Sequence, residues 1–315
     1  VVRNQVRRLL DDDRSEGFVN GFLDSWLNLR DLGGMPPPRE RARRYYSENW
    51  PASMKGEVRH FFAYLLKKNL PVGALLDADF TFVDKYLAAV YRLPEAKTLR
   101  LKDGFRKVKL IEKDRRGGIL GMAAVLTVSA NGVDTSPVTR GVFVSENILG
   151  VIPPSPPDEV PPIEPDIRGA TTLRERLEKH RESKTCADCH RKIDPLGFGL
   201  ETFDELGRWR THYPRSGKPL FVKKAPKLKV DSSGEMPSGE EFTGFSELRD
   251  ILVSTRSEVF TKHLITTFLT YATGRHMEVV DDYCISDIQS RLNAKGNGIG
   301  SLVEESLLSE IFRSR

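Results

Sequence analysis

The sequence contains few cysteines and no long apolar run. Three cysteines in 315 residues are too few for a fold held together by disulfides. No apolar stretch reaches the roughly 18–20 residues that a membrane-crossing helix requires, so the sequence predicts no transmembrane segment. The chain starts at Val1 without a signal-type apolar stretch. We therefore expect a fragment, or a mature chain whose upstream part, with its signal peptide, is missing.

The charge balance gives little indication of a partner. The 49 basic and 44 acidic side chains leave a net charge of +5. The stretch from Lys97 to Arg116 holds nine basic and three acidic residues, but no nucleic-acid-binding motif accompanies it. Such a stretch is typical of a solvated basic loop, and we predict no nucleic-acid partner.

Hydrophobic periodicity predicts helices over about the first 95 residues. Apolar residues recur at spacings of three and four in Phe18–Leu27, Val58–Leu66 and Phe82–Val90, the pattern of a helix with one buried face. Pro36–Pro38 and Pro71 follow the first two runs and end them. We therefore predict an N-terminal helical domain over residues 1–116.

The middle of the chain predicts a linker between two helical domains. Ala124–Ser129 is a short β-like run, and Val138–Leu149 is compatible with a helix or an extended segment. Seven prolines between Pro153 and Pro165 predict a stiff connection. We assign residues 117–166 to this mixed segment and Pro-rich linker. The predicted fold class is mainly α.

A second helical domain is predicted over residues 167–315. Thr171–Arg181 has a helical pattern, as does Phe245–Tyr271, which Gly274 would end. Leu302–Phe312 predicts a last helix.

One short motif in this second domain indicates a specific chemistry. Cys186, Cys189 and His190 form the pattern CxxCH, the attachment signature of c-type haem. Two thiols three positions apart can each form a thioether with a haem vinyl group, and the following histidine can ligate the iron. The sequence therefore predicts one covalently bound haem c, with His190 as an iron ligand.

Three other readings of the cysteine pair remain open. Cys284 and one histidine could complete a zinc site with Cys186 and Cys189, although no second CxxC or paired histidine spacing is present. A thioredoxin-like redox pair would require a βαβ pattern. A structural pair without chemistry is the third reading, and we assign Cys284 to a buried structural role.

Residues after the motif are candidates for the haem pocket. A backbone carbonyl near Pro195 could accept the Nδ1 proton of His190 and fix the ring. Phe198 is a candidate wall of the macrocycle. The same wall role is open to Leu200, Phe203 and Trp209, although all four also suit an ordinary core.

The sixth iron ligand decides between electron transfer and catalysis. Met236 precedes Pro237 in a loop ahead of the long C-terminal helix, as the axial methionine does in small class I cytochromes c. His180 is the alternative, although it lies only ten residues before His190. His276, Met277 and an open or water-bound position are further possibilities.

The chain resembles the planctomycete-type multidomain cytochromes c, in which domains of unknown function surround CxxCH motifs. The likeness covers nearly the whole chain, and the resemblance implies an exported protein with further domains on its N-terminal side. Leucine is common in that family where Met236 stands, which keeps His180 as an alternative. Besides the CxxCH motif, the likeness rests on the runs Gly118–Thr127, Thr135–Val142, Glu146–Gly150, Ile193–Phe198, Glu201–Asp204, Gly207–Arg210 and Leu269–Arg275.

These observations favour a periplasmic or otherwise exported electron-transfer protein with one haem, since haem is attached to CxxCH outside the cytoplasm. Expected partners are redox proteins, in a larger complex that includes the missing N-terminal part. A haem enzyme of peroxidase or oxidase type is the alternative, with His212 and Arg210 or Arg215 as distal groups. A second alternative is a structural subunit of an exported multihaem complex.

A lysine cluster before Met236 could steer an acidic partner; it consists of Lys218, Lys223, Lys224, Lys227 and Lys229.

Overall fold

The computed structural model describes most of the chain. The described residues are 1–40, 42–130, 132, 135–154, 174, 184–213 and 229–314, with the side chains of 184–186 excepted. Several predictions fall outside these residues, namely the Pro-rich linker beyond Pro154, most of the helix over Thr171–Arg181, the candidate ligand His180, Arg215, and all of the lysine cluster except Lys229.

The fold is mainly α, as predicted. Helices of the first half are α1 Val2–Leu10, α2 Ser15–Trp26, α3 Arg43–Ser47, α4 Trp50–Lys67, α5 Ala74–Asp77, α6 Lys85–Val90, α7 Ala123–Val128 and α8 Pro137–Phe143. A π-helical turn, Val144–Ile148, continues α8. Helices of the second half are α9 Lys184–Phe198, α10 Phe245–Thr255, α11 Ser257–Thr273, α12 Asp282–Asn293, α13 Ile299–Leu307 and α14 Glu310–Arg313.

Strands and single helical turns complete the fold. Strand β1 (Phe80–Val83) pairs antiparallel with β2 (Arg106–Lys109), and Phe80 lies opposite Lys109. Strand β3 (Gly234–Glu235) pairs antiparallel with β4 (Glu241–Phe242). The 3-10 turns are Leu29–Asp31, Pro94–Lys97, Leu101–Asp103, Glu112–Asp114, Ile119–Gly121 and Val279–Asp281.

Helices α2 and α4 confirm the periodicity of the N-terminal part. The Phe22 ring of α2 lies 5.6 Å from Phe62 of α4 and 5.9 Å from Phe268 of α11, measured between centroids. Aromatic pairs at these separations add to the burial of apolar area. The apolar stripes read from the sequence therefore meet one another in a shared core.

Four secondary-structure predictions were wrong or incomplete. Ala124–Ser129, predicted to be β-like, lies in helix α7 and the residue that follows it. Phe82, predicted to be helical, lies in β1, so the third helix begins only at Lys85. Phe245–Tyr271 is two helices separated at Arg256. The last predicted helix is also two, because Leu308 and Ser309 separate α13 from α14.

The apolar core extends through both parts of the chain. A single cluster of buried apolar side chains includes Val19 and Trp26 near the start and Leu302 and Val303 near the end. The division at residues 116 and 166 stays a prediction. Within the described part of the chain, no helix has both the length and the apolar character needed to cross a membrane.

Candidate cofactor site

The CxxCH motif lies in the first half of helix α9, Lys184–Phe198. This helix continues through Pro195. A proline cannot donate the helical backbone hydrogen bond, but the Pro195 carbonyl accepts one from the Gly199 N–H at 3.2 Å. The motif and the residues that follow it therefore share one rigid element.

Two glycines allow α9 to pack closely on α8. A Cβ atom on Gly197 would lie 1.7 Å from the carbonyl oxygen of Pro137, and one on Gly141 would lie 2.1 Å from that of Ile193. Both contacts are with backbone, which cannot rotate away as a side chain can. The α9 residues in these contacts, Ile193 and Gly197, lie one helical turn apart. The two contacts together therefore fix how α9 is rotated against α8.

His190 contacts a buried carboxylate one helical turn away. Its Nδ1 lies 2.9 Å from Oδ1 of Asp194, and the side chains are 14% and 1% exposed. The Nδ1 partner is thus the Asp194 carboxylate and not the expected backbone carbonyl near Pro195. With Nδ1 donating to Asp194, Nε2 is the ring nitrogen that would ligate a metal.

The two motif cysteines are described to different extents. Cys189 is partly buried and forms no disulfide, whereas the side chain of Cys186 lies outside the described residues. Cys284, predicted to be buried, is partly buried in α12 and packs against the core. Within the described residues, no group of three or more His, Cys, Asp or Glu side chains is placed to hold a metal ion.

A fully buried arginine holds the chain segment that follows α9. The Arg140 side chain is 0% exposed and donates to the carbonyls of Leu200 and Phe203, each at 2.8 Å. It also pairs with Glu201 at 3.2 Å. Burial in this apolar surrounding lowers the pKa of Arg140. These hydrogen bonds hold the residues that directly follow α9 in the core.

Other polar side chains extend this buried network. Arg210 pairs with Glu201 at 2.8 Å, and the Tyr213 hydroxyl donates to the same carboxylate at 3.1 Å. Burial is the main cause that raises the pKa of Tyr213. Arg210, a candidate distal group of the alternative haem enzyme, is therefore held in a largely buried ion pair, and its distal role stays a prediction. His212 is exposed.

The aromatic side chains predicted as pocket walls separate into two groups. Phe203 lies in the core, with its ring 5.3 Å from Trp209 and 5.2 Å from Phe245, and Leu200 is also buried there. Phe198, at the end of α9, is 2% exposed and carries the guanidinium of Arg174 4.0 Å above its ring centre. Phe198 is therefore the candidate wall residue that belongs to the motif helix itself.

Met236 lies in the apolar core, with 4% of its surface exposed. Strand β3 directly precedes it and packs against α9. The Met236 N–H donates to the Glu240 carbonyl at 2.8 Å, so the loop is tightly closed. A role as iron ligand stays a prediction. His276 is exposed and Met277 partly buried, and both line a cavity beside the π-helical turn.

Two residues that position the site, Asp194 and Arg140, were not predicted from the sequence. The four-residue spacing of His190 and Asp194 is the spacing of helical neighbours, so extending the predicted helix past the motif would have found the pair. No comparable signal exists for Arg140, because Leu200, Glu201 and Phe203 lie about 60 positions away in the sequence.

Three family models, each described as a protein of unknown function, match successive parts of the chain. They are DUF1592 over residues 1–93, DUF1588 over 116–213 and DUF1585 over 238–312. All three are domains found in planctomycete-type cytochrome c proteins. The DUF1588 match contains the whole CxxCH helix and the Arg140 network. No curated protein and no solved structure matches the chain.

The residues around the motif fit a haem c. The sequence supplies two thiols and an imidazole in the attachment spacing, and the Asp194 carboxylate is one of the partners, with backbone carbonyls and water, that commonly bind the second nitrogen of a metal-ligating histidine. Cys189 and His190 are partly exposed, so the motif is accessible from outside the core.

Proposed function

We propose that this chain is an exported c-type cytochrome unit that carries one covalently bound haem. Its role would be to pass single electrons within, or to, a larger redox assembly. The observation that carries the proposal is His190, held through Nδ1 by the buried Asp194, within a CxxCH motif inside the DUF1588 match. When bound, haem supplies iron that cycles between its ferrous and ferric states.

Four residues of the chain would bind the haem, in different ways. Cys186 and Cys189 would hold the macrocycle by thioether bonds, and His190 would ligate the iron through Nε2. Phe198 would contact the macrocycle and limit access of water at the end of α9. The close packing of α8 on α9 supports a fixed position for all of these groups.

An exported, periplasmic location follows from the same proposal, because haem is joined to CxxCH motifs outside the cytoplasm. The partners would be redox proteins that dock transiently, and a larger complex would hold the chain.

Acid denaturation followed by organic extraction tests the proposal. The full chain is produced with a c-type haem maturation system, and the pigment should stay with the polypeptide. Variant His190→Ala should lose the low-spin visible spectrum. A colourless wild-type chain, or pigment that leaves with the solvent, would overturn the proposal.

Met236 is the proposed sixth ligand, since it is buried in a closed loop whose preceding strand packs against α9. Methionine ligation gives oxidised class I cytochromes a weak absorption band in the red. We expect Met236→Ala to lose this band and Met277→Ala to keep it. Loss in the second variant alone would assign the ligand to Met277, and a wild-type chain without the band would exclude methionine.

A further inference from the structure

The Asp194 carboxylate that contacts His190 is buried. Its side chain is 1% exposed, and its Oδ1 lies 2.9 Å from Nδ1 of His190 on the preceding turn. By contrast, the neighbouring pair of Asp188 and Arg191 is exposed, at 54% and 69%. The same helix therefore carries one solvated carboxylate and one buried carboxylate within a turn of His190.

The position of Asp194 is imposed by the backbone around it. Ile193 and Gly197 of α9 lie directly against α8, at Gly141 and Pro137. These contacts prevent α9 from rotating about its axis. They keep Asp194 on a buried part of α9, where its side chain is 1% exposed.

We propose that Asp194 is a positioning residue that holds the His190 ring through Nδ1 and shifts the bound haem toward its ferric state. The inference rests on the proposed function. A carboxylate that accepts the Nδ1 proton makes Nε2 a stronger electron donor. Ferric iron carries one more positive charge than ferrous iron, so a stronger donor and a nearby negative charge favour it. Burial strengthens the effect, because water screens the charge less.

Spectroelectrochemical titration of the haem-loaded full chain tests the assignment. In Asp194→Asn the side chain keeps its shape but loses its charge. We expect the ferric-to-ferrous ratio at a fixed potential to fall about tenfold, which is an upward shift of about 59 mV in reduction potential. A residue with a merely structural role would not move the potential in this direction.

Asp188→Asn is the matched control. It removes the same unit charge from the same helix, but from an exposed carboxylate that water and salt screen. We expect a shift at most about a third as large. Equal shifts in the two variants would assign the effect to net charge alone. That result, or an unchanged potential in Asp194→Asn, would overturn the proposal.

A second measurement covers the case in which Asp194→Asn does not take up haem. In the ferrous wild-type protein, the Nδ1 proton of His190 should give a nuclear Overhauser effect to the β-protons of Asp194. An effect instead to the α-proton of another residue whose carbonyl accepts this bond would overturn the assignment.

The two proposals fail in different ways. The visible spectrum of the wild type is recorded first, and absence of covalent haem there would overturn the proposed function. Haem that is attached, with a potential that does not respond to Asp194→Asn, would overturn the role of Asp194 alone.

Discussion

The segment over residues 1–93 and the segment over residues 116–213 are stabilised in different ways. In the first, rings and aliphatic side chains fill the interior, and Glu57 is the only buried charged side chain among its described residues. In the second, buried charges accompany the apolar core. Those charged side chains are Arg116, Arg140, Asp194, Glu201 and Asp204.

The apolar contacts of the first segment and the buried charges of the second constrain the structure in different ways. Apolar contacts are non-directional and tolerate exchange for side chains of similar volume. Buried charges must be paired and hydrogen-bonded in one geometry, since leaving one unpaired is costly. The second segment contains the CxxCH helix, so the candidate site lies where the fold is held by directional interactions.

Removing Arg140 should have the largest effect. Arg140→Met leaves Glu201 and the carbonyls of Leu200 and Phe203 without this donor, and we expect the free energy of unfolding to fall by about 3–5 kcal/mol. Urea denaturation followed by circular dichroism measures it. Arg44→Met is the control, since Arg44 forms an exposed pair with Glu48 worth roughly 0.5 kcal/mol. Similar losses in the two variants would contradict the comparison.

Glu57 should make the first segment sensitive to pH. Burial is the largest cause that raises the pKa of Glu57 from 4.5 to about 7, so the folded chain keeps a proton that the unfolded chain releases. Stability should therefore fall as the pH rises from about 4.5 to about 7, by about 3 kcal/mol. Glu57→Gln stays neutral and should lack this part of the pH dependence. Denaturation at several pH values measures the difference, and parallel profiles for wild type and variant would contradict it.

A methyl group at Gly197 should disturb the contact between α8 and α9. In Gly197→Ala the new carbon would lie 1.7 Å from the Pro137 carbonyl, and we expect a loss of about 1–3 kcal/mol in unfolding free energy. Gly17→Ala in α2 is the control, because no atom beyond its chain neighbours and its own helix backbone lies within 4 Å of the added carbon and alanine favours a helix. Thermal denaturation compares them. A Gly197→Ala variant as stable as wild type would show that the two helices are free to separate.

The smallest effect is expected for a conservative change in the apolar core. Leu65 is 0% exposed, yet Leu65→Met nearly conserves volume and should cost less than about 1.5 kcal/mol. Arg140→Lys keeps the charge but loses the planar fork that reaches several carbonyls, and it should cost more. Urea denaturation of the two variants tests the order. A larger loss of stability in Leu65→Met than in Arg140→Lys would contradict the claim that the second segment depends more on exact geometry than the first.

The sequence predicted the apolar segment better than the polar one. Helices α2 and α4 each bury one face, and a one-sided stripe is visible as periodicity. Helix α7 was misread because Ala123–Thr127 are all buried, so the apolar run shows no period and cannot be told from a buried strand. The break at Arg256 changes few apolar positions, which is why α10 and α11 were predicted as one helix.

The candidate site was predicted only where its residues are adjacent in the chain. Cys186, Cys189 and His190 form a local motif, and their spacing alone indicates the chemistry. The Nδ1 partner of His190 was misassigned because no helix was predicted past the motif, whereas α9 continues through Pro195 and places Asp194 one turn from His190. The contacts of Arg140 with Leu200 and Glu201 depend on the tertiary fold, for which no local pattern exists.

The central claim is that a haem is bound covalently at Cys186 and Cys189, and intact-protein mass spectrometry under denaturing conditions tests it most directly. The wild-type chain, matured with a c-type haem system, should be heavier than its polypeptide by the mass of one haem. Cys284→Ala should keep this added mass, and the double variant Cys186→Ala/Cys189→Ala should lose it. A wild-type chain with the mass of the polypeptide alone, or a double variant that still carries the haem, would contradict the account.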